Sequence, residues 1–128
     1  MKNLIVDATR DKIFLTLIVN RNIYTCSHEN SKINFEKLIV LINDFLGISS
    51  CSLDQIDVIY VNRGPGSFAG IRNSLATIKA LFLTKKINYY CFSFNDFIGF
   101  KEVKYIDVPS LCEKFKIKKN LINPIYLS

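Results

Sequence analysis

Ile56-Asp57-Val58-Ile59-Tyr60-Val61-Asn62-Arg63-Gly64-Pro65-Gly66-Ser67-Phe68-Ala69-Gly70-Ile71-Arg72 is the stretch on which the reading of this chain turns. Its first six residues are short, largely β-branched and apolar apart from Asp57, which predicts a buried strand. The residues from Asn73 to Lys86 have helical periodicity. Between the two lies a strand-to-helix loop holding Gly64, Gly66 and Gly70. Glycine tolerates positive φ and lets another group approach the backbone, and Pro65 stiffens the turn. A helix N-terminus behind such a loop is a general anion site. The spacing fits no standard one. G-x-G-x-x-x-G is one residue too long for the dinucleotide fingerprint, and no Lys-Ser/Thr pair follows to make a Walker A loop. Pro65 stands where a nucleophile elbow around Ser67 would need glycine.

Upstream, Leu4 to Val6, Ile13 to Val19 and Ile23 to Ser27 read as three strands joined by tight turns, an antiparallel meander. Asn20-Arg21-Asn22 suits the second turn. Asn34 is the expected cap of a helix over Phe35 to Leu46, with Gly47 as its stop. At 100° per residue its apolar stripe spans about 160°, wider than the roughly 100° a helix on a sheet requires. The excess points to a surface for something else. In the next helix Ile71, Leu75, Ile78 and Phe82 suit the sheet, while Ala76, Ala80 and Leu83 form a second, small-residue face. A fifth strand is expected at Tyr89 to Phe94, then a short helix to Phe100. Lys101 to Val108 could be a strand, and Pro109 could open a helix through Lys118. The fold class is α/β, a mixed five-stranded sheet in the order β-β-β-α-β-α-β-α.

Arg63-Gly64-Pro65-Gly66-Ser67-Phe68-Ala69-Gly70-Ile71-Arg72, followed by Leu75-Ala76-Thr77-Ile78-Lys79-Ala80-Leu81, resembles the signature of the TsaB (YeaZ) family. That pattern is close to R-G-P-G-S-F-T-G-L-R-x-x-L-A-T-A-K-G-L. Departures are Ala69 for Thr, Asn73-Ser74 for the usual small pair, and Ala80 for Gly. The ending Asn123 to Ser128 is similar to the family's P-x-Y-L-R, with Ser128 in place of Arg. The resemblance implies a ribonuclease H-like lobe of the actin/Hsp70/sugar-kinase type over residues 1–100. Residues 101–128 would then be a short C-terminal remnant packing on the same lobe, in place of most of a second lobe.

The resemblance also implies a function. TsaB is the non-catalytic partner of TsaD in threonylcarbamoyladenosine modification of ANN-decoding tRNAs. The expected partners are a TsaD-like subunit in a heterodimer, a TsaE-like ATPase, a second copy when alone, and tRNA through the complex. The implied interface is Leu38, Val40, Leu41 and Phe45 on the first helix and Arg72, Ala76, Ala80 and Leu83 on the second. The signature loop, Arg63, Gly64, Pro65, Gly66, Ser67, Phe68 and Gly70, would shape the turn and present the second helix. Asp7-Ala8-Thr9 falls where nucleotide-binding relatives carry a D-x-G-T phosphate loop. With its glycine replaced, Asp7 and Thr9 read as a vestigial phosphate loop, and no cofactor is expected. Two alternatives stand: a small ATP-binding enzyme of the same superfamily, and an RNA-binding module using Lys114, Lys116, Lys118 and Lys119.

Composition narrows the classes. The chain has 128 residues, 49% hydrophobic and 22% charged, with a net charge of +6. That favours one globular domain with weak attraction to polyanions. Cys26, Cys51, Cys91 and Cys112 are scattered, and His28 is the one histidine. No metal site is expected from such spacing. No apolar run approaches membrane-spanning length, and Asp7 comes too early for a signal peptide, so the expected location is cytoplasmic.

Overall fold

The computed structural model describes residues 1–126. Strands β1 (Lys2–Asp7), β2 (Lys12–Val19) and β3 (Asn22–Glu29) form the antiparallel meander. β4 (Val58–Asn62) and β5 (Asn88–Phe92) then add in parallel to β1, giving the order β3-β2-β1-β4-β5. Asn20 adopts the positive φ that the β2–β3 turn requires. Leu4, Val6, Leu15, Leu17, Ile59 and Val61 point from the sheet to one side, where helices α1 (Lys32–Glu36), α2 (Leu38–Ile48) and α3 (Phe68–Lys85) cover them.

The first helix differs from the sequence reading. It is capped by Ser31, whose Oγ accepts from the Asn34 N–H at 3.3 Å, not by Asn34 itself. It breaks at Lys37, which leaves helical geometry at φ −115° and ψ 26°. Nor does Gly47 stop it. Ser50, at φ 55°, takes the left-handed position, with Ser50 N–H donating to Gly47 and Cys51 N–H to Leu46. That pair of bonds is a Schellman closure, so it satisfies the end of the helix three residues later than Gly47 alone would. α3 starts at Phe68, ahead of the helical periodicity that begins at Asn73, because Ser67 Oγ accepts from Gly70 N–H at 3.2 Å.

The opposite face of the sheet carries Ile5, Ile18, Tyr60 and Phe92, covered by Phe97 and by α4 (Val108–Lys114) through Val108, Leu111 and Cys112. Three expectations are corrected here. Lys101 to Val108 is no strand but a loop with a short 3-10 turn at Tyr105–Asp107. α4 ends at Lys114, well before Lys118, because Lys116 turns left-handed at φ 54° and Ile117 N–H closes on Cys112. The third helix expected after β5 is a 3-10 turn, Phe94–Asp96. Of the family-like ending, Leu127 and Ser128 lie outside the described residues.

Candidate functional site

The C-terminal ends of β1, β4 and β5 meet at the glycine-rich loop, the position where open parallel sheets place their ligands. A cleft of about 700 Å³ opens there, bordered by Thr9, Arg10, Asn62, Ser93 and the segment from Phe100 to Tyr105. Thr9 and Asn62 at its border are buried, as is Asp7, to which both are hydrogen-bonded. Asp7 Oδ1 accepts from the Thr9 N–H at 3.1 Å and the Thr9 hydroxyl at 2.7 Å. Its Oδ2 accepts from Asn62 Nδ2 at 3.1 Å and from the Tyr105 hydroxyl at 2.6 Å. The carboxylate is thus satisfied by four donors of its own chain, as a buried charge must be. Burial and the adjacent Asp7 carboxylate push the Tyr105 hydroxyl above the ordinary tyrosine range, so it remains a donor. Tyr105 was not singled out in the sequence; only the fold brings it to Asp7.

The glycine loop binds backbone. Gly64 sits at φ 111°, and a Cβ there would collide with the Ile125 carbonyl. A Cβ at Gly66 would strike the Thr9 carbonyl, and one at Gly70 the Ala8 carbonyl. Gly66 and Gly70 do not have positive φ, so their role is close approach. Ser67 N–H donates to Thr9 O at 2.8 Å, and Ile125 N–H to Arg63 O at 2.7 Å. Arg63 pairs with Asp96 at 2.6 Å and donates to the Asn123 carbonyl at 3.1 Å. Phe68 packs on Tyr126, their ring centroids 4.6 Å apart, while Pro65 is exposed. The loop therefore lashes the β1–β2 turn on one side and residues 123–126 on the other.

The eight residues expected at a partner surface divide. Leu38, Leu41 and Phe45 are core residues, with Leu41 7% and Phe45 4% exposed. Assigning them to an interface is corrected: the wide stripe of α2 is consumed by its own sheet and by α3. Val40, Arg72, Ala76, Ala80 and Leu83 are exposed. Ile39 and Asn43 of α2, with Thr77, Ala80 and Leu81 of α3, line an apolar groove of about 400 Å³ between the two helices. Among the described residues no cluster of metal-binding side chains occurs, all four cysteines are free thiols, and no helix is long and apolar enough to cross a membrane.

Residues 29–94, from the end of β3 through the loop to the turn after β5, match the family model described as TsaD, tRNA N6-adenosine threonylcarbamoyltransferase. The tRNA threonylcarbamoyladenosine biosynthesis protein TsaB of Buchnera aphidicola subsp. Baizongia pistaciae (strain Bp) is 34% identical over 65 aligned positions, covering 44% of this chain and 29% of that protein. YeaZ from Pseudomonas aeruginosa superposes with a TM-score of 0.66 at 20% identity, covering 72% of this chain and 43% of the other. A second structure, described as an uncharacterized protein with similarity to peptidase YEAZ from Pseudomonas aeruginosa, gives the same values. The chain thus matches less than half the length of each of these relatives. The match over residues 29–94, half of the chain, shows that it belongs to the family described as TsaD, tRNA N6-adenosine threonylcarbamoyltransferase.

Proposed function

We propose that this chain is a non-catalytic cytoplasmic subunit that docks a TsaD-like protein on the outer face of α2 and α3 and supports threonylcarbamoyladenosine formation on tRNA. One observation carries the reading. Val40 on α2 and Leu83 on α3 are 49% and 58% exposed, and these two helices flank the apolar groove that Ala80 helps to line. Large exposed apolar side chains grouped on one face mark interaction surfaces, and small residues allow a partner helix to come close. Arg72, at the N-terminal end of the same stripe, would orient the partner by charge.

The chemistry at Asp7 supports a non-catalytic role. A carboxylate holding four internal hydrogen bonds has no free lone pair aimed at a metal–phosphate complex. The TsaB name of the Buchnera relative supports the pathway. The test mixes the chain with a TsaD-like subunit and measures the complex by sedimentation and tRNA modification by the reconstituted system. A one-to-one complex lost in Val40→Glu/Leu83→Glu, with folding intact, is expected. Full assembly and full modification with that variant would refute the docking face.

A further inference from the structure

The lysine-rich stretch near the end of the chain has no part in the docking face. Lys114-Phe115-Lys116-Ile117-Lys118-Lys119 carries four lysines, and after Glu113 no acid occurs up to Tyr126. The fold makes this stretch a fixed strip. Phe115 and Ile117 pack against the core of Phe92, Phe97 and Leu111, while the four lysines are exposed. Ile117 N–H donates to Cys112 O at 2.9 Å, and Asn120 N–H to Tyr89 O at 2.8 Å. Lys119 bridges Tyr90, so the strip reaches the outer edge of β5. Among the described residues no carboxylate forms an ion pair with any of the four lysines.

An exposed aromatic ring stands where the strip begins. Phe100 follows Gly99, which turns the chain at φ 93°, and is 44% exposed. Its ring meets that of Phe115 edge-on at 6.0 Å, and Lys114 Nζ lies 4.8 Å from its centroid. Phe100 also borders the cleft, where Arg10, Lys101 and Lys104 face a single acid, Glu102. Cations therefore extend from the cleft, past Phe100, to Lys119. Unpaired lysines on one strip attract a polyanion. An acidic protein would be held by charge alone. The ring among the lysines adds a stacking surface, which unpaired bases use and the paired bases of a duplex do not.

We infer that the strip from Phe100 and Lys101 to Lys119 binds a single-stranded nucleic acid, with its lysines along the phosphates and Phe100 under a base. That this strand is RNA rests on the tRNA reading above. The contact does not use the α2–α3 face.

The test titrates the full chain, without a partner subunit, into a labelled unstructured RNA of about 12 nucleotides and reads anisotropy. Salt is varied from about 50 to 200 mM. The single strand should bind more tightly than a duplex RNA of the same length, although the duplex carries more charge, and more tightly than polyglutamate. Lys116→Gln/Lys118→Gln/Lys119→Gln should weaken binding about tenfold or more and lower the log–log salt slope by about two. Lys32→Gln/Lys37→Gln, at either end of α1, should change affinity by less than about twofold. Phe100→Ala should cost about five- to a hundredfold at an unchanged salt slope, and Phe100→Tyr should restore affinity. No binding, a duplex or polyglutamate bound as tightly as the single strand, equal losses from the two lysine sets, or a folded Phe100→Ala with full affinity would each overturn the inference. If Phe100→Ala does not fold, the comparison of the lysine sets decides. A DNA strand of the same sequence bound more tightly than the RNA would overturn RNA as the ligand. Because no partner is present, failure here leaves the docking face untouched, and loss of TsaD-like binding would count only against that face.

Discussion

The Tyr105 hydroxyl donates to Asp7 Oδ2 at 2.6 Å across 98 positions of sequence. That bond fastens the segment after β5 to the end of β1. Tyr105→Phe removes one donor from a buried carboxylate that keeps three. The expected cost is about 1.5–3 kcal/mol, read as a lower urea midpoint at unchanged slope. Loss of less than a few tenths would mean that water replaces the hydroxyl.

Isothermal calorimetry with ATP and magnesium should show no micromolar binding to the wild-type chain, because all four donors at Asp7 are internal. Binding that Asp7→Ala abolishes would make this loop a working nucleotide site.

The glycines separate by what stands beside them. Gly66→Ala and Gly70→Ala press a methyl into the Thr9 and Ala8 carbonyls, at about 1–3 kcal/mol each or more. Gly64→Ala adds a left-handed φ to its collision, for roughly 1–2 kcal/mol beyond that. Gly47 lies inside α2 with open space around it, so Gly47→Ala should gain about 0.4–1 kcal/mol. Thermal melts of the four variants give the order directly.

Leu41→Glu and Val40→Glu are neighbours with opposite expected outcomes. Leu41 is in the core, and an unpaired charge there should cost roughly 4 kcal/mol or more and unfold much of the population. Val40 is half exposed, so Val40→Glu should keep its circular dichroism and melting point while losing partner affinity. A well-folded Leu41→Glu would put α2 in the wrong rotation.

Stability should fall as pH rises past about 9. Burial pushes the Cys91 thiol up to about 11 and the Cys112 thiol up to about 12, from an ordinary 9.0. Burial likewise pushes the Tyr60 hydroxyl up to about 12 from 10.0, and Tyr105 is raised too. The folded chain then holds protons that the unfolded chain releases, so the contribution is complete below pH 9 and lost on the way to pH 12. Denaturant titrations between pH 8 and 11 check the slope, and Tyr105→Phe should flatten its upper part.

The sequence by itself determined the strands, the meander, the parallel additions and the family-like loop, because each depends on neighbours within a turn or a strand. The almost continuous apolar run of Ile13 to Val19, broken by Thr16, and the helical repeat of Ile71, Leu75 and Ile78 are local signals. Tertiary structure alone decided the rest. Periodicity showed that Leu38, Leu41 and Phe45 share a face, but not that α3 and the sheet use all of it. Composition marked Gly66 and Gly70 as permissive; only packing showed that they yield space to the Thr9 and Ala8 carbonyls. Nothing near Asp7 or Tyr105 in sequence announces their bond. A contact 98 positions apart exists only after the chain has closed around its core, and closure depends on the burial of many residues at once.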